Sequence, residues 1–229
     1  MQAVIFVAGR GTRMAPLTDA TPKPMLDIAG KPLLEHKFNE LPDSVDEVVL
    51  VVGYLGGVIH DYFGGSFGGR RVLYVEQDNP TAGTADALWC AKDFLGGKFL
   101  AMNGDDLYAK EDAEKCAEHD WAILIQERDP LLSGGKVALD AHHCVQEVRE
   151  GSHHGKGYIN AGMYALDTRV FDFPLVPKAE DSSEYGLPQT IMAAARALSV
   201  PVSGVPATFW VQITEPADLK KAAEFLMYR

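Results

Sequence analysis

A basic, glycine-containing stretch near the amino terminus is the part of the sequence best suited to chemistry. Residues Gly9–Met14 read GRGTRM, and Lys23 follows between two prolines. Glycines let backbone N–H groups approach a ligand closely, and a loop rich in such groups after a strand suits a polyphosphate. Arg10, Arg13 and Lys23 add three positive charges to a chain whose net charge is −11. The stretch predicts a phosphate-binding loop, with a flexible loop of solvated cations as the alternative.

The glycine spacing matches neither of the two common nucleotide-binding loops. A GxGxxG loop requires glycine where this chain has Met14, and a Walker loop requires GK[ST] after its glycines. The residue types therefore indicate phosphate binding without specifying the kind of domain that carries the loop.

Other polar residues are more ambiguous. The paired histidines His142-His143 and His153-His154 match no zinc spacing, so a solvated loop is the simpler interpretation. Asn160 lies in an apolar stretch, where an unpartnered amide is costly to bury. We therefore favour a ligand contact for Asn160 over a purely structural hydrogen bond.

The composition excludes several classes of protein. With 21 Lys and Arg against 32 Asp and Glu, the chain is a poor candidate for coating nucleic acid. Its apolar runs are shorter than the roughly 18 residues that a membrane span needs, and its amino terminus lacks the features of a secretory signal. The three cysteines are widely spaced and suggest neither a disulfide framework nor a zinc site. We expect a reduced, cytoplasmic protein without nucleic-acid or membrane partners.

The first half of the chain alternates between strand-like and helix-like segments. Its apolar runs are continuous, which predicts strands that are buried on both faces. The predicted strands are Gln2–Ala8, Glu47–Val52, Arg71–Val75, Lys98–Met102 and Trp121–Gln126. The predicted helices are Pro32–Leu41, Tyr54–Phe63, Thr84–Phe94 and Lys110–Glu118. This alternation predicts an α/β fold with a three-layer, Rossmann-like mixed sheet flanked by helices.

The pattern changes after about residue 130, where the predicted strands are shorter and the links longer. The predicted elements are the strands Val145–Val148, Tyr158–Leu166 and Val200–Val205 and a closing helix, Pro216–Tyr228. We expect a smaller antiparallel or mixed lobe that completes the same sheet. Because no repeat or low-complexity linker interrupts the chain, residues 1–229 are predicted to form a single domain with parts at about 1–130 and 131–229.

Several stretches, in order along the chain, resemble motifs of the sugar-1-phosphate nucleotidylyltransferases. GRGTRMAPLT with KPM is similar to the signature GxGTR(L/M)xPLT…KP. Further similar stretches are Gln77 with Gly83-Thr84-Ala85, Asn103-Gly104-Asp105, Glu150, Asn160-Ala161-Gly162, and Glu184 with Leu187-Pro188. The segment from Trp210 to Leu219 resembles the ending W-x-D-(I/V)-x-T-P-E-D-L. On these motifs the chain is identified as a member of that family.

The resemblance implies a role for each matching residue. The implied catalytic residues are Arg13 and Lys23. The implied nucleotide contacts are Ala8, Gly9, Gly11, Thr12, Gln77, Gly83 and Thr84. The implied sugar contacts are Asn103, Glu150, Asn160 and Glu184. A Mg²⁺ ion is implied at Asp105 and Gln212, and the parts before and after residue 130 then bind nucleotide and sugar respectively.

The implied reaction joins a nucleoside triphosphate to a sugar 1-phosphate and releases pyrophosphate. A phosphate monoester has a second pKa near ~6, so the attacking group is mostly dianionic at pH 7 and needs no general base. The protein must supply positioning and countercharge, which agrees with the chemistry of the basic loop. Two alternatives stay open: cytidylyl transfer to another phosphate such as phosphocholine, and a non-catalytic regulator that binds nucleotide sugars.

One position departs from the family pattern. Where the family ending carries Asp as a second metal ligand, this chain has the neutral Gln212, which motivates the regulator alternative. Asp106 would point away from Asp105 if the strand continues, so only Asp105 is retained as a ligand. The sequence ends at Arg229, so we expect none of the C-terminal β-helix of larger relatives. The base stays open because the amide of Gln77 can match any base edge, and a homo-oligomer is compatible with the sequence.

Overall fold

A mixed sheet of ten strands forms the centre of the computed structural model, which describes residues 1–227. The strands are β1 (Gln2–Phe6), β2 (Asp27–Ile28), β3 (Lys31–Pro32), β4 (Glu47–Val52), β5 (Ser66–Phe67), β6 (Arg70–Glu76), β7 (Lys98–Asn103), β8 (Asp106–Tyr108), β9 (Ala122–Arg128), β10 (Lys136–Leu139), β11 (Val145–Arg149), β12 (Gly157–Asp167), β13 (Ser203–Pro206) and β14 (Trp210–Gln212). The helices are α1 (Leu33–Glu40), α2 (Gly56–Phe63), α3 (Thr84–Cys90), α4 (Lys110–Glu118), α5 (Leu187–Leu198) and α6 (Pro216–Met227).

The strand order explains where the loops meet. The main path runs β11-β10-β12-β7-β1-β4-β6-β5, while β9 joins β12 and β13 joins β9. At its centre β1 lies between β4 and β7, parallel to both. The carboxyl ends of β1 and β7 therefore lie side by side, and the loops that follow them share one edge of the sheet.

Helices cover both faces of the parallel part. Val4 of β1 packs into one apolar cluster with residues of α3 and α5. Its neighbours Ala3 and Ile5 pack into a second cluster with residues of α1, α2 and α4. Burial on both faces accounts for the continuous apolar strands of the sequence. The predicted α/β fold with helices on both faces of a mixed sheet is confirmed.

The strands after residue 130 extend the same sheet with mostly antiparallel pairing. Strand β12 runs antiparallel to β7, β9 and β10, whereas β13 runs parallel to β9. The strand pair β14–β8 lies outside the main sheet and is antiparallel. The functional division near residue 130 stays a prediction.

Several element boundaries differ from the sequence-based prediction. Helix α3 ends at Cys90, where Ala91 N–H bonds to Leu88 O, and a separate 3₁₀ turn covers Lys92–Phe94. The strand predicted from Val200 begins at Ser203, because Val200 N–H still bonds to Ala195 O at the end of α5. Helix α5 was absent from the prediction. The closing helix is described as far as Met227, so Tyr228 lies outside the described residues.

Helix α6 packs beneath the basic loop. Its Ala222 is buried in a third apolar cluster with Met14, Leu107 and Ile213. These three residues belong to the basic loop, to β8 and to the segment after β14, so the helix packs beneath all three. In the described part of the chain, no helix has the length and apolar character needed to cross a membrane.

Candidate active site

A cleft of about 670 Å³ opens at the carboxyl ends of β1 and β7. One wall is formed by the basic loop, Lys23 and the turn after β7. The opposite wall is formed by residues after β11, by the middle of β12 and by the segment before α5. All the predicted site residues line this cleft except Gln77, which lies behind its wall.

The basic loop and the turn after β7 are brought together by strand register. Phe6 of β1 pairs with Asn103 of β7, and Gly104 N–H donates to Phe6 O at 3.0 Å. A Cβ atom at Gly104 would lie 2.7 Å from that same oxygen. The absence of a side chain at Gly104 therefore permits the contact that places Asp105 beside the loop.

The basic loop is folded so that Arg13 faces the cleft. Gly11 has a φ of +65°, and the Thr18 hydroxyl donates to Gly11 O at 3.0 Å. Met14 is fully buried and anchors the turn, which leaves Arg13 exposed at the cleft. Within residues 1–227 the Arg13 guanidinium makes no hydrogen bond or ion pair, so it is available to a ligand. Arg10 lies outside the cleft lining, with its Cζ 5.0 Å from the centre of the Tyr54 ring.

Lys23 and Asp105 form an ion pair at the floor of the cleft. Lys23 is only 7% exposed, and its Nζ lies 2.7 Å from Asp105 Oδ2. Its side chain packs beneath the loop, since a Cβ atom at Gly11 would lie 3.0 Å from Lys23 Cβ. The ammonium group is thus fixed in place by packing and by one carboxylate before any ligand arrives.

Gln212 lies next to Asp105 through backbone pairing. Gln212 is paired with Asp106 across β14 and β8, and Ile213 N–H donates to Asp105 O at 3.2 Å. Both Asp105 and Gln212 line the cleft and offer oxygen donors, the type that Mg²⁺ prefers. In the described residues no group of three or more His, Cys, Asp or Glu side chains could hold a metal. The donor set fits a Mg²⁺ ion that takes most of its ligands from substrate and water.

The predicted sugar contacts on the opposite wall are held by neighbouring groups. Asn160 Nδ2 donates to the Tyr164 hydroxyl at 2.8 Å, and Asn160 Oδ1 accepts from Gly162 N–H at 3.0 Å. Glu150 is half-buried, and burial raises the pKa of its carboxyl group, an effect that Lys178 partly offsets. The Asn160 amide therefore has a structural role as well as a place in the cleft.

Lys178 is a cleft residue that the sequence analysis missed. Its Nζ lies 3.3 Å from Glu184 Oε2, and both side chains line the cleft. Lys178 N–H also donates to Glu184 O at 2.8 Å, so the two residues lie on facing arms of one hairpin. A lone lysine in the otherwise acidic stretch PKAEDSSE was the available signal.

The segment Pro80–Ala85 is fastened to the hairpin before α5. Gly83 has a φ of +99°, and a Cβ atom there would overlap Tyr185. Tyr185 N–H donates to Ala82 O at 2.7 Å, and Ala85 N–H donates to Tyr185 O at 3.1 Å. These bonds join two predicted contact regions in one wall: the nucleotide contacts Gly83 and Thr84, and the sugar contact Glu184.

Gln77 lies behind this wall. Its side chain is buried, and its Nε2 donates to Asp86 Oδ2 at 2.8 Å and to Gly83 O at 3.2 Å. In this arrangement the amide positions Gly83, and the contact with a nucleotide base stays a prediction.

Asp106 is fully buried at the base of the cleft. Its Oδ2 accepts from Asn103 Nδ2 at 3.3 Å, and the Tyr108 hydroxyl oxygen lies 3.2 Å from it. Burial raises the pKa of the Asp106 carboxyl to about 7, and the adjacent Asp105 charge adds to the effect. Asp106 is therefore part of the support for the turn that carries Asp105.

Comparison with known proteins defines the class to which the chain belongs. The family model for nucleotidyl transferases matches residues 2–228. The chain belongs to the nucleotidyl transferase family, as the motif resemblance implied.

Individual relatives add further detail. The chain is 32% identical over 229 residues to the bifunctional protein GlmU of Methanocaldococcus jannaschii, covering 99% of this chain but 54% of that protein. It therefore spans about half the length of that curated relative. It is 32% identical over 181 residues to a D-glycero-alpha-D-manno-heptose 1-phosphate guanylyltransferase of Campylobacter jejuni, covering 78% and 81% of the two chains. The crystal structure of HddC from Yersinia pseudotuberculosis matches with a TM-score of 0.74 at 25% identity, covering 98% and 99%.

Proposed function

We propose that this protein transfers a nucleoside monophosphate from a nucleoside triphosphate to a sugar 1-phosphate, giving a nucleoside diphosphate sugar and pyrophosphate. The observation that carries the proposal is the Lys23–Asp105 pair, 2.7 Å apart, on the floor of a cleft between a basic loop and a polar wall. Family membership and the guanylyltransferase relative support the same reaction class.

In the proposed reaction a phosphate oxygen of the sugar 1-phosphate attacks the α-phosphorus of the triphosphate. The bond from that phosphorus to the bridging oxygen breaks, and pyrophosphate leaves with the bonding electrons. Lys23 contacts the α-phosphate and the sugar phosphate, while Arg13 contacts the departing pyrophosphate. Both cations reduce repulsion between phosphates and act best when they are already in place.

The remaining predicted residues bind and orient the substrates. Backbone N–H groups of Ala8–Thr12 lie in the loop that follows β1 and suit the triphosphate. Glu150, Asn160 and Glu184 line the wall proposed to contact sugar hydroxyl groups, and Asn103 at the end of β7 is proposed to contact them from the other wall. When bound at Asp105 and Gln212, Mg²⁺ supplies further positive charge to the triphosphate. Two further expectations from the sequence, a cytoplasmic location and a possible homo-oligomer, stay predictions.

A pyrophosphate-release screen tests the proposal. Five nucleoside triphosphates are crossed with a panel of sugar 1-phosphates in the presence of Mg²⁺, and Lys23→Ala protein serves as the control for contaminating activity. We expect release with at least one pair and a loss of at least a hundredfold in the control, because one preorganised charge is worth ~3 kcal/mol or more to such a transition state. Folded wild-type protein that is inactive with every pair would contradict the proposal.

The same screen separates the two alternatives. Phosphocholine is included as an acceptor, although a quaternary amine favours an aromatic cage and this wall presents Glu150 and Glu184. Faster turnover of phosphocholine than of every sugar phosphate would establish that alternative. Tight nucleotide-sugar binding without turnover would establish the non-catalytic regulator.

A further inference from the structure

The hydroxyl group of Tyr108 is buried beneath the cleft, where it contacts residues of both walls. Tyr108 ends β8 and is fully buried. Its hydroxyl donates to Ala161 O at 2.9 Å and lies 3.2 Å from Asp106 Oδ2. One partner belongs to the turn that carries Asp105, and the other belongs to the strand that carries Asn160.

On the sugar side, the hydroxyl contacts an irregular stretch of β12. The pairing register between β12 and β9 shifts between Asn160 and Tyr164, and Gly162 has a φ of +76°. Such bulges redirect side chains and are common beside active sites. The Tyr108 hydroxyl bonds to the carbonyl at the centre of this bulge, immediately after Asn160. It therefore holds the backbone of the bulge at the residue next to Asn160.

On the metal side, the same hydroxyl meets the Asn103–Asp106 turn. Asn103 Nδ2 and the Tyr108 hydroxyl both lie within hydrogen-bond distance of Asp106 Oδ2. The Asn103 amide also fills the space that a Cβ atom at Gly162 would require. The turn and the bulge are therefore in contact at two points, of which Tyr108 supplies one.

The tyrosine itself is held from behind by a buried ion pair. Lys37 Nζ lies 2.9 Å from Glu40 Oε2 and 3.7 Å from the centre of the Tyr108 ring. Glu40 Oε1 accepts from Tyr108 N–H at 2.9 Å. Residues of α1 thus hold both the backbone and the ring of Tyr108, which fixes the position of its hydroxyl group relative to both walls.

We propose that Tyr108 is a positioning residue that sets the sugar-binding bulge of β12 relative to Asp105. The proposal rests on the proposed function, because it assigns the bulge to sugar binding. It requires no contact between Tyr108 and substrate. Its consequence is that loss of the hydroxyl alone weakens binding of the sugar 1-phosphate, while the triphosphate still meets an intact basic loop.

The test compares Tyr108→Phe with Tyr74→Phe. The control also removes a hydroxyl that bonds to a carbonyl, Gly64 O at 2.7 Å, but at a site outside the cleft. For Tyr108→Phe we expect the KM for sugar 1-phosphate to rise at least tenfold, the KM for nucleoside triphosphate to stay within twofold, and kcat to fall less than the KM rises. Both KM values stay within twofold in the control.

A binding measurement gives a readout that needs neither turnover nor metal. By calorimetry without divalent cation, Tyr108→Phe should weaken the binding of nucleotide sugar at least fivefold while nucleoside monophosphate binds as in wild type. Equal losses for both ligands, or no loss for either, overturn the proposal. If the wild type binds nucleotide sugar but never releases pyrophosphate, the proposed function fails while this comparison still decides the role of Tyr108. Absence of all nucleotide-sugar binding overturns both.

A second variant alters the contact between the bulge and the Asn103–Asp106 turn by a substitution in the bulge itself. Gly162→Ala forces an alanine into a φ of +76° and into the space of the Asn103 amide, so it strains the bulge and disrupts the contact that Asn103 makes between the bulge and the turn. It decides the question if Tyr108→Phe does not fold. We expect the same selective loss of sugar 1-phosphate binding, and unchanged sugar binding in a folded Gly162→Ala protein would overturn the proposal.

Discussion

The two walls of the cleft differ in how far their polar side chains are already engaged. We call the wall formed by the basic loop, Lys23 and the turn after β7 the phosphate wall, after the ligand proposed for it. On this wall, Arg13 is exposed and makes no hydrogen bond or ion pair within residues 1–227, and Lys23 has a single carboxylate partner. On the opposite wall, which we call the sugar wall after its proposed ligand, Asn160 bonds through both ends of its amide and Glu184 is paired with Lys178. A substitution on the phosphate wall thus removes a protein charge that is available to a ligand. A substitution on the sugar wall also breaks bonds between the substituted residue and its neighbours.

The largest effect is expected at the carboxylate of the phosphate wall. Asp105→Asn should reduce turnover by at least a thousandfold without unfolding the protein, because it removes the carboxylate that pairs with Lys23 and is proposed to hold Mg²⁺. Turnover is measured across a range of magnesium concentrations. The exposed Asp43→Asn, whose carboxylate pairs with Lys110, is the control and should retain activity. An Asp105→Asn protein with wild-type magnesium dependence would exclude Asp105 as a ligand.

Arg13 gives the next largest effect and has a matched control nearby. Arg13→Ala should lower kcat/KM by about a hundredfold, since a charge aimed at the leaving phosphates is worth ~3 kcal/mol. Arg10→Ala removes the same charge three residues away but outside the cleft lining, and should change kcat/KM less than threefold. Steady-state kinetics with saturating sugar 1-phosphate make the comparison. Equal effects of the two substitutions would mean that only the net charge of the loop matters.

A substitution on the sugar wall should mainly change the KM for sugar 1-phosphate, and by a smaller factor than the substitutions on the phosphate wall change activity. Lys178→Met keeps the aliphatic stem, removes the ion pair with Glu184 and leaves Glu150 with less compensation of its charge. We expect the KM for sugar 1-phosphate to rise about tenfold, with little change in the KM for nucleoside triphosphate. The control is Lys156→Met, which breaks an exposed ion pair with Glu127 that lies outside the cleft lining. A larger change in the KM for triphosphate would place Lys178 in the nucleotide half.

The difference between the walls also decides what could be predicted from sequence. The basic loop is contiguous, so its glycines and cations indicate phosphate binding without a structure. The Lys23–Asp105 pair spans 82 residues and depends on the register of β1 and β7, so the motif resemblance suggested the residues but not their contact. The fold followed from continuous apolar runs that are buried on both faces.

The unpredicted features depend on long-range packing. Tyr108 bonds to the Ala161 carbonyl in the part of β12 where the pairing register with β9 shifts, and local residue types do not encode that geometry. Helix α5 carried usable signals, a proline in its first turn and buried residues at Leu187, Ile191 and Ala194. The bonds from Gln77 Nε2 to Gly83 O and Asp86 Oδ2 likewise depend on packing, and the motif resemblance does not indicate them.

Asp106, buried at the base of the cleft, gives the smallest expected effect, which is one on stability. Burial raises its pKa in the folded protein from 3.8 to about 7. Below about pH 4 the carboxyl is protonated in both the folded and unfolded states, but between about pH 4 and 7 the unfolded chain ionises while the folded protein stays protonated. The folded wild type therefore binds more protons in this range and loses stability as the pH rises through it.

Asp106→Asn cannot ionise, so its free energy of unfolding relative to wild type should increase from pH 5 to pH 8 and then level off. Urea denaturation midpoints and slopes at both pH values measure this change. The control is again Asp43→Asn, because the hydrogen bond from Lys110 lowers the pKa of Asp43 in the folded protein, and an unpaired aspartate is already ionised across this range in the unfolded chain. Its effect should be the same at pH 5 and pH 8. The free energy of unfolding of Asp106→Asn relative to wild type could instead also be the same at pH 5 and pH 8. The Asp106 carboxyl would then be as well solvated as a surface carboxylate, and the contact that it makes between the two walls would be weaker than its burial indicates.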